Sequence, residues 1–184
     1  MNFRFKFITF PKLFLDRLHL LIEIIFFLRF LHLLFHTRTD FLFDLKNLDL
    51  RASIAEASLM AGMAFSNTKT AIAHNISYPI TLGWGVQHGI ACSFTLPSVL
   101  RSVIGLGGFR EEALREIFGE NLGAGADDLD RFLNAVGIGT RFQDHGIPAD
   151  RWPSIIEDAF AGERGRNFVG TLDRFMATQD ALAT

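Results

Sequence analysis

The sequence of 184 residues predicts an all-α fold, a helical bundle that follows an atypical apolar segment. Beyond residue 50, apolar residues recur at helical spacing in stretches rich in Ala, Leu, Met and Glu. Clusters containing Gly or Pro separate these stretches, and none of the stretches alternates apolar and polar residues as a half-buried strand does. We therefore expect helices joined by short loops.

The first part of the chain differs from the rest in composition. Residues 1–51 lack Gly, Ala, Val and Ser, yet they contain 11 of the 20 Phe residues. They hold 8 basic and 5 acidic residues, whereas the remainder holds 10 and 15, so the net charge changes sign. Globular domains use all four missing residue types throughout. The composition predicts an atypical N-terminal segment at residues 1–47 and a helical domain at residues 48–184.

Three hypotheses stay open for the N-terminal segment. Its apolar run from Leu18 to Phe35 has about the length of a membrane span, although Glu23 and Arg29 interrupt it. Residues 13–35 could therefore form a membrane anchor or an amphipathic helix packed on the rest. The third hypothesis is a shifted reading frame upstream of a real domain. A cleavable signal is not expected, because no small-residue cleavage site follows the apolar run.

The helical domain is predicted element by element. A helix over residues 50–64 should end at a break at 66–68, and a second helix should follow over 69–78. Gly83 and Gly85 should break the chain before an apolar helix over 89–104, which Pro97 interrupts. Further amphipathic helices are expected near residues 111–118, 128–136, 148–160 and 170–183.

Two histidines are the candidate metal ligands of the sequence. His74 and His88 would lie about 21 Å apart on one straight helix, but the intervening glycines allow the chain to reverse. Two neutral imidazoles at one cavity suit Fe(II), Zn(II), Co(II) or Ni(II). Tyr78 shares a helical face with His74. The alternative is that His74 bonds a backbone carbonyl and His88 merely starts a helix, and two histidines are too few for a complete site.

Residues 48–184 resemble the C-terminal helical domain of iron-containing (group III) alcohol dehydrogenases, which is dehydroquinate synthase-like. The resemblance rests on ASLMAGMAF at 57–65, on the His74 and His88 pair, and on the HG-x-A run at 88–97. The runs at 77–97 and 162–168 look more like the phosphonoacetaldehyde-reductase branch. The resemblance implies that both histidines bind the catalytic metal, with Fe(II) expected and Zn(II) as the alternative. The implied reaction is reversible hydride transfer between NAD(P)H and a small aldehyde.

The chain departs from the family pattern in three places. The family binds NAD(P) through a Gly-rich turn in an N-terminal domain, whereas this sequence has no Gly before Gly62. The family completes its metal site with an Asp and a third His at i and i+4, which this chain lacks. The candidate pairs, Asp16 with His19 and His32 with His36, are expected not to bind metal. Tyr78 replaces a second histidine of many members and should line the substrate pocket. We therefore expect no cofactor-binding residues and no turnover by this chain alone.

Three other features are expected to be ordinary. Cys92 should be a small core hydrophobe, and a single thiol is consistent with a cytoplasmic protein. His145 should be a solvated turn residue, and residues 163–166 should form a solvated charged turn. A phosphonate substrate would need a cationic partner, but the sequence leaves Arg101, Arg164 and Arg166 as equal candidates.

Composition narrows the function classes. A net charge of −2 with mixed signs argues against a nucleic-acid partner, and one cysteine excludes an internal disulfide. The first hypothesis is the metal-binding, substrate-side domain of an alcohol dehydrogenase, acting on a small aldehyde or alcohol. The others are a non-catalytic decayed or misframed fragment and a membrane-anchored helical module. An exposed apolar patch could also support a homo-oligomer.

Overall fold

The structure, a computed structural model, describes residue 44, residues 46–68 and residues 70–183. The all-α prediction is confirmed, because none of these residues forms a strand. The helices are α1 Leu48–Thr68, α2 Ile72–Trp84, α3 His88–Ser93, α4 Leu96–Val103, α5 Gly108–Phe118, α6 Leu122–Ala135, α7 Trp152–Ala161, α8 Glu163–Arg166 and α9 Leu172–Ala183, and a 3-10 turn spans Phe142–His145.

The chain divides into two compact units, Met1–Thr68 and Lys69–Thr184. Helix α1 belongs to the first unit and runs through the break predicted at residues 66–68. That prediction is wrong because the Ser66 hydroxyl donates to the carbonyl of Met63, so it bonds within the helix instead of starting a new one. The compositional boundary at residue 48 stays a prediction.

The membrane-anchor hypothesis concerns residues 13–35, which lie outside the described residues. The same holds for Asp16, His19, His32 and His36. Among the helices that the structure describes, none has the length and apolar character needed to cross a bilayer.

The core of the second unit is built on one face of α2. Ile72, Ile76 and Ile80 follow one another at a spacing of four residues, and all three are fully buried. They pack with side chains from α3, α7, α9 and the segments between helices: Ala91, Phe94, Ile147, Trp152, Ile155, Ile156, Ala159 and Phe175. Burying a side chain of this size stabilises a fold by about 1.5–3 kcal/mol. Because this face is buried in the core, the opposite face of α2 is available for polar residues.

The predicted chain reversal between the two histidines is present. Helix α2 ends at Trp84, and Gly85 has a φ of 67°, in the left-handed region that glycine adopts without a steric penalty. The Gly85 N–H donates to the carbonyl of Thr81 at 3.2 Å. Helix α3 begins three residues later, at His88. Because α2 and α3 pack against each other, the turn brings the two histidine-bearing segments together.

The apolar stretch after the reversal forms two helices where the sequence predicted one interrupted helix. Helix α3 ends at Ser93 and α4 begins at Leu96. Pro97 lies in the first turn of α4, where its missing N–H would have no partner in the helix. The proline therefore starts a helix, and this separates the short histidine-bearing helix α3 from α4.

Residues 163–166 form the short helix α8 beside α2 and not the expected turn, although Glu163 and Arg166 are exposed as the sequence predicted. The Asn75 side chain of α2 donates to the carbonyl of Ala159 at the end of α7, with a distance of 2.6 Å. Gly165 is buried, and a Cβ there would clash with that same carbonyl. The Arg164 Nε donates to the Thr70 hydroxyl at 2.8 Å. These contacts hold Arg164 close to the start of α2.

Substituting Gly85 by Ala tests the reversal. Left-handed backbone costs a non-glycine residue roughly 1–2 kcal/mol, so we expect Gly85→Ala to lower the free energy of unfolding by about that amount in urea titrations. Gly83→Ala is the matched control. Gly83 lies inside α2, and a Cβ would meet no atom within 4 Å at either position. Ala at 83 should stabilise by up to about 1 kcal/mol; equal effects at both positions would contradict the assignment.

Candidate metal centre

The polar face of α2 carries three residues of the candidate site. His74, Ser77 and Tyr78 lie at i, i+3 and i+4, opposite the buried isoleucines. Ser77 is fully buried, His74 is half-buried and Tyr78 is exposed. The same helix therefore packs the core with one face and presents the site with the other.

The reversal brings the two histidines together. Their ring centroids lie 5.5 Å apart and their planes meet at 72°. The alternative that His74 is held by a backbone carbonyl is not supported, since no carbonyl of the described residues accepts a hydrogen bond from its ring. The role of the two histidines as metal ligands stays a prediction.

A third donor lies in the same place. The Cys92 Sγ is 3.7 Å from the His88 Nε2, because the two residues are one turn apart on α3. One donor atom each from His74, His88 and Cys92 lie within 4.8 Å of one another. The expectation that Cys92 is a plain core hydrophobe is wrong: it is half-buried and contacts an imidazole. Its spacing of i+4 from His88 was the signal available in the sequence.

Ser77 orients the His88 ring. Its hydroxyl donates to the His74 carbonyl at 2.8 Å, and its oxygen lies 3.3 Å from the His88 Nδ1. A serine hydroxyl has a single proton, so its oxygen can only accept from His88. The arrangement therefore favours the Nδ1–H tautomer of His88 and leaves the Nε2 lone pair towards Cys92. Such a hydrogen bond typically fixes the orientation of a metal-binding imidazole.

Burial and neighbouring charge shift two ionisable groups of the cluster. Burial lowers the pKa of His74, and electrostatic repulsion by His88 and by the Arg164 guanidinium lowers it further. His74 is therefore neutral at pH 7, the state that binds metals. Burial raises the pKa of the Cys92 thiol, and the neighbouring Ser77 side chain opposes this shift. With no metal bound, Cys92 is a neutral thiol.

Tyr78 and Arg164 form the wall beside the cluster. The Tyr78 ring stacks on His88 at 5.7 Å between centroids, with the planes at 18°. The Arg164 guanidinium lies 5.1 Å from the centre of the Tyr78 ring. Of the three arginines left open by the sequence, only Arg164 contacts this wall in the part of the chain described. Arg101 pairs with Asp127, and Arg166 donates to the Ala161 carbonyl.

Other candidate residues lie elsewhere. The His145 Nε2 bonds the Gly139 carbonyl at 2.8 Å and its ring packs on Phe94, so it is a packed residue and not the solvated one that was expected. An open groove of about 370 Å³ lies between Ile104, Glu111, Arg115 and residues 120–123. It includes none of the cluster residues.

Comparison with known proteins identifies the family. A family model described as Fe-containing alcohol dehydrogenase family, C-terminal, matches residues 25–174, and the match begins inside the compositionally atypical segment. The chain belongs to this family. An alcohol dehydrogenase from Oenococcus oeni has the same fold, with a TM-score of 0.72 and 20% identity over 84% of this chain and 43% of that one.

Two curated relatives are similar over parts of the chain. The 1,3-propanediol dehydrogenase of Klebsiella pneumoniae is 34% identical over 103 residues, which cover 55% of this chain and 26% of the relative. The phosphonoacetaldehyde reductase of Streptomyces viridochromogenes is 41% identical over 51 residues, 28% of this chain and 13% of the relative. The matched part thus spans about a quarter or less of the length of these relatives.

Replacing Ser77 tests the orientation of the His88 ring. In the metal-free protein we expect ¹⁵N NMR to find Nδ1 of His88 protonated, and Ser77→Ala to remove that preference because the acceptor is gone. Ser102→Ala is the matched control, since Ser102 is equally buried and its hydroxyl also bonds the carbonyl three residues earlier. A His88 tautomer that is the same in all three proteins would refute this assignment.

Proposed function

We propose that the chain is the metal-binding, substrate-side part of an alcohol dehydrogenase that interconverts a small aldehyde and its alcohol with NAD(P)H. Family membership supports the reaction class. The observation that carries the site assignment is the convergence of the His74 and His88 rings at the α2–α3 reversal. The aldehyde would bind beside this pair, with the exposed ring of Tyr78 as a wall of its pocket.

The donor set fits a divalent transition metal. His74 and His88 supply imidazoles, the ligands that Fe(II), Zn(II), Co(II) and Ni(II) share, within a cluster no wider than 4.8 Å. We propose Fe(II) as the family ion, with Zn(II) as the alternative. A bound ion would act as a Lewis acid on the aldehyde oxygen, and the nicotinamide would supply the hydride.

The protein residues would prepare this site. Burial and adjacent positive charge keep His74 neutral, so it can donate its lone pair. Ser77 holds the His88 ring in one orientation. Tyr78, stacked on His88, forms the pocket wall, and its hydroxyl can donate a hydrogen bond to a substrate oxygen.

We propose further that the substrate is an aldehyde bearing an anionic group, such as a phosphonate. Arg164 supports this, because its guanidinium lies over Tyr78 and is close enough to influence the charge of His74. Its Nε is held by Thr70. Its two terminal nitrogens have no hydrogen-bond partner among the described residues. A guanidinium with free terminal nitrogens can bind a phosphonate oxygen pair in bidentate fashion. The local similarity to a phosphonoacetaldehyde reductase is in keeping with this class.

We expect this chain alone to show no dehydrogenase turnover. It has no glycine before Gly62 from which to build a pyrophosphate-binding turn. The sequence also lacks the Asp and third His with which the family completes its metal site. We therefore expect this protein to bind metal without catalysing hydride transfer.

Calorimetric titration with Zn(II) tests the proposed site. We expect one ion per chain, and a loss of affinity of at least about tenfold in His74→Ala and in His88→Ala, since each removes a ligand. His145→Ala is the control, because that imidazole lies outside the cluster and should leave the affinity unchanged. Equal affinity in all variants would refute the site.

A spectrophotometric assay tests the inactivity of the chain alone. With NAD(P)H, small aldehydes and Fe(II) or Zn(II), absorbance at the nicotinamide band should stay constant. Clear turnover would refute this expectation.

Anion binding tests the role of Arg164. In the zinc-loaded chain, methylphosphonate should cause saturable NMR shifts of the Arg164 side chain and Tyr78 ring, whereas propanol should not. Arg164→Gln should abolish these shifts. Arg166→Gln is the matched control, since Arg166 lies on the same short helix and its side chain donates to the backbone carbonyl of Ala161, away from Tyr78. Equal responses in the two variants, or an equal response to propanol, would refute the anionic substrate class.

A further inference from the structure

We infer that Cys92 is a third protein ligand of the metal centre, so that this chain binds metal through two imidazoles and one thiolate. The inference rests on the proposed function, because it assumes the His74 and His88 pair. It extends that proposal by naming a sulfur donor, which changes the class of ion that the site prefers.

The distances at α3 fit ligands of one ion. Zinc bonds lie at about 2.0–2.1 Å to imidazole nitrogen and about 2.3 Å to sulfur, so a tetrahedral angle places the two donors about 3.5 Å apart. The Cys92 Sγ and His88 Nε2 are 3.7 Å apart. The whole trio spans at most 4.8 Å, so its widest pair must close by about 1 Å on binding. Rotation of the short Cys92 side chain and of the half-buried His74 side chain can supply that movement.

A hydrogen bond with Ser77 orients the imidazole of His88 within the cluster. Ser77 occupies the Nδ1 of His88, which leaves Nε2 as the unprotonated nitrogen beside sulfur. On binding, the thiol would lose its proton to solvent as the sulfur–metal bond forms, so metal uptake by Cys92 releases one proton. No oxidant or reductant takes part in this step.

The sulfur donor favours zinc. Thiolates are soft ligands that select Zn(II) over harder divalent ions, and nitrogen and sulfur sites generally bind Zn(II) more tightly than Fe(II). Three protein ligands also leave the fourth tetrahedral position open, as catalytic zinc sites require. The site would therefore hold Zn(II) in preference to Fe(II).

X-ray absorption spectroscopy of the zinc-loaded full chain tests the inference without any variant. We expect one sulfur scatterer at about 2.3 Å together with nitrogen at about 2.0–2.1 Å. In parallel, the Co(II)-loaded chain should show a thiolate-to-metal charge-transfer band in the near ultraviolet. Cys92→Ser should lose that band and bind Zn(II) at least about tenfold more weakly. Ser93→Ala is the control, because Ser93 is the next residue and bonds the Gly89 carbonyl away from the cluster.

The outcomes separate this inference from the proposed function. A zinc ion surrounded only by nitrogen and oxygen, with unchanged affinity in Cys92→Ser, would overturn the role of Cys92 and leave the histidine pair intact. A wild-type chain that binds neither Zn(II) nor Co(II) would overturn both. Should Cys92→Ser fail to fold by circular dichroism, the sulfur scatterer in the wild-type spectrum still decides the question.

Discussion

The left-handed turn at Gly85 is the constraint on which the candidate site depends. Helix α2 is anchored by the burial of Ile72, Ile76 and Ile80, so its polar face has a fixed direction. Only a sharp reversal after Trp84 can return the chain along that face within four residues. Gly85 supplies it with a φ of 67° and one hydrogen bond to Thr81. Helix α2 and the turn that follows it thus form part of the core and also bring the two histidines together.

The reversal also explains why the site is built from so few elements. Helices α2 and α3 supply the three donors and the Ser77 hydroxyl, and α8 adds the guanidinium of Arg164. Ser77 hydrogen-bonds His88, and Thr70 hydrogen-bonds Arg164. The Tyr78 ring lies between His88 and Arg164 and contacts both. The arrangement favours neutral donors on one side and a fixed positive charge on the other. That asymmetry would suit the anionic aldehyde that we propose as the substrate.

Local sequence rules predicted the part of this arrangement that depends on neighbours in the chain. The helical class, the reversal at the glycines and the convergence of His74 and His88 all follow from spacing and from the conformational freedom of glycine. The break at residues 66–68 was wrong, because Ser66 can bond within a helix as well as cap one. Family resemblance, in turn, indicated His74 and His88 as candidate ligands but did not indicate the contacts with Ser77, Cys92 and Arg164 that surround them.

Contacts between distant segments could not be predicted in this way. Arg164 reaches Tyr78 because Gly165 allows α8 to lie against the end of α7. Arg164 and Tyr78 are far apart in the sequence, so local spacing does not reveal this contact. Cys92 had the right spacing from His88, but a half-buried thiol and a core thiol look alike in sequence. His145 likewise packs on Phe94 although its Gly/Pro surroundings suggested a solvated loop.

The most direct test is anomalous diffraction at the zinc absorption edge from crystals of the zinc-loaded chain. If the reversal at Gly85 builds a metal centre, one strong anomalous peak will lie between the imidazoles of His74 and His88. A peak at surface carboxylates or at His145, with no density between the paired imidazoles, would contradict the claim that the α2–α3 reversal creates the site.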